Sequence, residues 1–135
     1  MHYVASEYAL PLEATVPAFR ELKALVDRDG YKLTFPVIVR CSPPEQGYLS
    51  PAAGRYTGWI NLRQYGKRPH KTFFRAAEEI FVAHGGRPHW ATLHTRAAAD
   101  LAPSYPHWDE FLALRAELDP DGVLLGEHTR EVLGV

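Results

Sequence analysis

Arg40 stands next to last in a stretch of strict alternation. From Leu33 to Cys41, residues Leu33, Phe35, Val37, Val39 and Cys41 fall on one side, and Thr34, Pro36, Ile38 and Arg40 on the other. If the second side lines a cleft, a guanidinium there can grip a carboxylate through its planar fork of N–H donors. The plain alternative is an exposed arginine whose stem lies along a strand end. A second stretch, Gly85-Gly86-Arg87-Pro88-His89-Trp90-Ala91-Thr92-Leu93-His94, supplies imidazoles and a hydroxyl suited to acid–base or hydrogen-bonding work. Read as a strand over 87–94, it puts Trp90, Thr92 and His94 on one face and His89, Ala91 and Leu93 on the other, so one set alone can meet a pocket. Its plain alternative is a helix stop, a rigid extended segment and an aromatic core residue.

The other reactive side chains point to less. His84, His89 and His94 are evenly spaced among seven histidines, but a spacing of five fits neither a helix face nor a strand face. No nearby carboxylate or cysteine completes a ligand set, so no metal is expected. Cys41, the sole cysteine, ends the apolar side of its strand and reads as a small buried hydrophobe rather than a nucleophile.

The elements that must position these residues follow from periodicity and punctuation. Tyr3, Val4, Tyr8 and Leu10 mark a short strand over 2–10, stopped by Pro11. From Glu13 to Val26, Val16, Phe19, Leu22 and Leu25 or Val26 recur at helical spacing, predicting that this stripe is buried, with Gly30 past the end. Residues 42–54 are rich in Pro, Gly and Ser and predict a loop, and 55–62 a strand. A helix over Lys71 to His84 carries Phe73, Phe74, Ala77, Ile80 and Phe81 on one stripe and meets a left-handed stop at Gly85-Gly86. Trp108 to Leu118 predicts a third helix, stopped by a type I turn at Asp119-Pro120-Asp121-Gly122. The segment after Gly122 is weakly patterned and reads as a docking tail. The order predicts an α+β fold: an antiparallel sheet with helices on one face, ferredoxin-like βαββαβ plus a C-terminal helix.

At 135 residues the chain suits a single domain over 1–135. A formal net charge of −1 gives no field to gather nucleic acid or anionic lipid, so neither partner is expected. The apolar runs fall far short of the roughly 20 residues that a bilayer needs. With one cysteine, no internal disulfide and no leader-like start, the expected location is the cytoplasm.

Beyond single motifs, an ordered set of landmarks runs along the chain. It comprises Glu7-Tyr8-Ala9-Leu10-Pro11; Phe35-Pro36-Val37-x-Val39-Arg40; Leu49-Ser50-Pro51-Ala52 followed by Gly54-Arg55; Gly85-Gly86-Arg87-Pro88-His89-Trp90; Tyr105-Pro106; and Leu118-Asp119-Pro120-x-Gly122. In this the chain resembles, from about residue 6 onward, the C-terminal part of the aldonolactone oxidases: arabinonolactone and gulonolactone oxidases and the related alditol oxidases, flavoenzymes of the vanillyl-alcohol-oxidase type. The resemblance implies a cap that covers the flavin ring and shapes a substrate pocket, while a separate N-terminal domain binds FAD. No glycine-rich phosphate loop between a strand and a helix stands in this sequence, so FAD is expected only through a partner chain.

Mapped onto this chain, the resemblance puts Arg40, His89, Thr92 and His94 forward as catalytic candidates and Ile38, Ser50, Arg55 and Trp90 as substrate-side ones. Arg40 would then reach a carboxylate or a lactone oxygen. Two positions depart from the family pattern. Ile38 stands where the family commonly has Glu, and Ala91-Thr92 where it tends to have Gly-Lys. Oxidising an alcohol requires a proton acceptor and stabilised charge. Ile38 supplies neither, and Thr92 offers a neutral hydrogen bond worth roughly half a charge-assisted one. Three readings follow: a cap acting with a separate FAD-binding subunit on a sugar, polyol or lactone; a flavin-independent cyclase, isomerase or hydrolase; or a non-catalytic binding module. Each is compatible with a homodimer or heteromer.

Overall fold

The computed structural model describes residues 2–135. In chain order they form strand β1 (Tyr3–Pro11), helix α1 (Leu12–Asp29), β2 (Ile38–Ser42), β3 (Thr57–Tyr65), α2 (Lys71–Ala83), β4 (Arg87–Pro88), α3 (Ala98–Leu101) with a 3₁₀ turn (Ala102–Ser104), α4 (Trp108–Leu118) and α5 (Glu127–Leu133). The sheet order is β2-β3-β1-β4, and every pairing is antiparallel. This is the α+β, βαββαβ arrangement expected from the order of elements.

One face of the sheet is covered by helices. Tyr8 and Leu10 from β1 and Ile60 and Leu62 from β3 meet Ala18, Leu22 and Leu25 of α1 and Phe73, Phe74, Ala77 and Phe81 of α2. The α2 stripe is the predicted one, and the helix stops where Gly85 turns left-handed at φ 72°. The α1 stripe is the predicted one in its second half, where Leu22 and Leu25 are buried, but not in its first. Thr15 and Ala18 are buried, whereas Val16 and Phe19 are 55% and 36% exposed. The reason is a close approach of α1 to β3: a Cβ built on Gly58 would lie 1.9 Å from Thr15 Oγ1. Helix and strand touch there through small residues, which rotates the larger apolar ones outward.

Two predicted strands are shorter than their patterns suggest. Residues 33–37 run beside β3 without joining it, because Gln64 takes over the pairing with its side chain. It accepts the Thr34 N–H at 3.1 Å and donates to Lys32 O at 3.0 Å. The strand begins at Ile38, at the sheet edge, and Cys41 is exposed there rather than buried. The expected strand over 87–94 holds for two residues. His89 N–H still donates to Glu7 O at 2.9 Å; the chain then turns, with Thr92 N–H on His89 O, and returns when Leu93 N–H reaches Ala5 O at 2.8 Å. Two-residue alternation therefore does not apply from Trp90 to His94.

That excursion feeds a second core. Trp90 packs edge-on to Tyr105 and Trp108, and these join Leu101, Val132 and Leu133. The residues after Gly122 dock on the domain: α5 buries Val132 and Leu133 against α3, with Leu101, Tyr105 and Trp108 in the same cluster.

Candidate functional site

The uncovered face of the sheet holds the polar chemistry. Since Tyr8, Leu10, Ile60 and Leu62 point to the helices, their neighbours point away, and the register aligns them in rows: Ile38, Asn61 and Glu7 in one, Arg40, Trp59 and Ala9 in the next. Arg40 Nη2 donates to Glu7 Oε1 at 2.8 Å across the intervening strand. The Glu7 side chain is 7% exposed and that of Arg40 58%, so the carboxylate is desolvated and the guanidinium lies at its mouth. Arg40 Cζ is also 5.3 Å from the centre of the Trp59 ring, a cation–π distance. Trp59 Nε1–H donates to Ser42 Oγ at 2.9 Å, which fixes the indole.

Next along the face, Arg63 Nε donates to Asn61 Oδ1 at 3.0 Å, and its guanidinium lies over the Tyr3 ring. His89 stands beside Trp59, with ring centres 6.4 Å apart. Its Nδ1 accepts the Ala91 N–H at 3.2 Å, so the neutral ring carries its proton on Nε2. This constellation can hold a small polar molecule by a carboxylate acceptor, guanidinium and amide donors, and an aromatic wall.

Of the residues singled out from sequence, Arg40, Ile38 and His89 meet on this face. Thr92 borders it, committed to the backbone: its Oγ accepts the Glu7 N–H at 3.0 Å and donates to His89 O at 2.9 Å. Trp90 lies in the second core. Ser50 Oγ organises its own loop, bonded to Glu45 and to Ala52 N–H. Arg55 donates to Ala9 O and Gly85 O at 2.9 and 3.0 Å, tying β1 to the turn after α2. Burial and then the neighbouring Arg87 lower its pKa to about 10.

His94 sits apart from Arg40. It lines a cavity of about 480 Å³ on the helix-covered side, where β4 ends early and leaves Val4 facing Phe74 and Leu93. Burial first, then His128, pushes its pKa below the ordinary histidine value. Beside it, the buried Glu78 accepts from Thr95 N–H, Thr95 Oγ1 and Arg96 Nε, the last at 2.7 Å. This cavity is bordered by a structural ion pair, and the buried His94 Nε2 at its edge has no hydrogen-bond partner among the described residues.

Glu7, Trp59, Asn61 and Arg63 were missed by the sequence reading. Their signal was present, since alternation around Tyr8 and Leu10, and around Ile60 and Leu62, puts all four opposite the core.

A flavin dinucleotide needs backbone N–H groups turned toward its diphosphate, usually at a glycine-rich strand-to-helix turn. At the β1–α1 junction Pro11 has no N–H, and the Leu12 N–H is spent on Tyr56 O at 3.0 Å. The β3–α2 junction has one glycine, Gly66, around which a Cβ would find ordinary space. The described residues therefore do not fit the diphosphate.

A family model described as D-arabinono-1,4-lactone oxidase matches residues 1–132. The chain is 42% identical over 134 residues to an L-gulono-1,4-lactone dehydrogenase of Mycobacterium tuberculosis, covering 99% of this chain and 31% of that protein. It is 35% identical over 131 residues to the L-gulonolactone oxidase of Bos taurus, covering 93% and 30%, and 31% identical over 134 residues to an alditol oxidase of Streptomyces, covering 95% and 31%. In each it spans about a third of the relative's length, within the C-terminal part. With the landmark order, the βαββαβ sheet and a match over nearly every residue in agreement, the chain belongs to the D-arabinono-1,4-lactone oxidase family.

Proposed function

We propose that this chain forms the substrate-side wall of an enzyme that oxidises aldonolactones or alditols, with FAD held by a separate subunit. The observation that supports the reading is the open face, where Arg40, Glu7, Asn61 and Trp59 present donors, an acceptor and an aromatic surface beside one another. When bound by its subunit, the flavin would supply the two-electron acceptor. The residues of this chain would orient hydroxyl and lactone oxygens and keep water from the covered half of the site. Assembly as a heteromer belongs to the same proposal, because the sheet face is complete as a cavity only when something lies over it.

The test begins with the absorption spectrum of the chain after incubation with FAD and removal of free cofactor. It continues with oxidation assays on L-gulono-1,4-lactone, D-arabinono-1,4-lactone and xylitol, with and without the FAD-binding part of a relative added in trans. Turnover in the mixture alone supports the proposal. A flavin retained by the chain alone overturns the division of labour, and no turnover in any mixture counts against the oxidase reading. A second reading, flavin-independent hydrolysis or isomerisation, draws on His89, whose Nε2 is uncommitted beside Trp59. Lactone consumed without flavin would favour it.

A further inference from the structure

We propose that Glu7, paired with Asn61, is a specificity-determining contact that reads a substrate hydroxyl; the inference rests on the open face being the substrate side. Across the outward positions of β1, β2 and β3, Glu7 is the sole carboxylate, set among Arg40, Arg63, Asn61, Trp59 and Ile38. Burying a carboxylate is costly unless its oxygens are paired. Arg40 satisfies Oε1, while Oε2 has no protein partner and is not sealed from solvent among the described residues.

Asn61 is the direct cross-strand partner of Glu7. Arg63 Nε–H needs an acceptor and the Asn61 amide nitrogen is none, so the atom that it meets is Oδ1, and Nδ2 is left without a protein partner among the described residues. One strand apart, the row thus offers an unpaired acceptor and an unpaired donor. A hydroxyl group is the ligand that uses both, donating its proton to Glu7 and accepting from Asn61. Ile38 completes the row with an apolar side chain, so the polar pair reads one hydroxyl and the position beyond it favours carbon. Arg40 restrains the Glu7 carboxylate in this orientation, and stacking on Trp59 restrains Arg40.

The experiment uses the 135-residue chain and two probes, L-gulono-1,4-lactone and γ-butyrolactone, which share the ring but differ in hydroxyls. Binding is followed by NMR through the Trp59 indole N–H, for the wild type, Glu7→Gln and Asn61→Ala. Wild type should bind the hydroxylated lactone better, and each variant should weaken that binding about tenfold or more, as expected for losing a hydrogen bond to a charged or desolvated group. Binding of γ-butyrolactone should be unchanged, which a merely structural role would not give. Equal loss for both probes, or no loss for either, would overturn the role of Glu7 while leaving the face as substrate side. If neither probe perturbs any signal of the open face in the wild type, the reading of the face fails and this inference with it.

Discussion

Arg40 and Glu7 share a hydrogen bond of 2.8 Å across β3, but they share it unequally, since the carboxylate is almost fully desolvated and the guanidinium is more than half exposed. Removing one partner is therefore unlike removing the other. Arg40→Ala leaves a largely buried carboxylate that only its slight solvent exposure can compensate, whereas Glu7→Gln leaves a cation that water can solvate. Because Arg40 is exposed, the cost stays below that of a fully buried pair. Arg40→Ala should lower the unfolding free energy by about 1–3 kcal/mol and Glu7→Gln by less, measured by urea denaturation. Equal effects would show that Glu7 is already solvated in the fold.

The contact between α1 and β3 at Gly58 predicts a second asymmetry. A methyl group at 58 meets Thr15 Oγ1 at 1.9 Å and Thr15 Cβ at 2.7 Å. Gly58→Ala should destabilise by about 1–3 kcal/mol, the usual cost of overpacking. Adding Thr15→Ala should restore only part of it, because Cβ remains too close. Full rescue in the double variant would mean that the helix shifts freely over the sheet.

Glu78 is the anchor of the segment that returns from the second core to the sheet edge. Its carboxylate, 2% exposed, accepts from Thr95 and Arg96, and Arg96 also reaches Glu79 at 2.6 Å. Glu78→Ala should cost about 3–5 kcal/mol, the range for breaking a buried pair. It should also speed amide exchange at residues 93–97 more than in the sheet. Uniform exchange would mean that this segment is held by other contacts.

These cases show what was legible from residue types and what was not. Apolar alternation and glycine stops set out the order of strands and helices along the chain, the α2 stripe and the Gly85 turn, because those depend on local spacing. The burial of Thr15 and Ala18 in place of Val16 and Phe19 depends on how near α1 comes to Gly58, a tertiary distance that no hydrophobic pattern encodes. Likewise Gln64 and Thr92 replace ladder bonds with side-chain ones, so that β2 starts late and β4 ends early, with Trp90 and His94 carried away from Arg40. In the site, Arg40 and His89 were legible by type. Glu7 was visible as part of a landmark, but its role needed the register that aligns it with Asn61 and Ile38.

The pH dependence of stability should carry a contribution from His94. Its pKa in the fold is lowered from 6.5, chiefly by burial and then by His128, so the unfolded chain takes up the proton at higher pH than the folded one. Below about pH 6.5 the unfolded state thus binds more protons than the native state, and stability falls as pH falls toward the folded value. Above pH 6.5 both states are neutral at this position and the contribution is fully present. Nδ1 of His94 accepts the Arg96 N–H at 3.2 Å, so His94→Gln keeps an acceptor available while removing the titration. The loss of stability between pH 7 and pH 5, measured by urea denaturation at several pH values, should be shallower in His94→Gln than in the wild type. An unchanged slope would assign the acid sensitivity to other groups and would mean that His94 charges in the folded state without penalty.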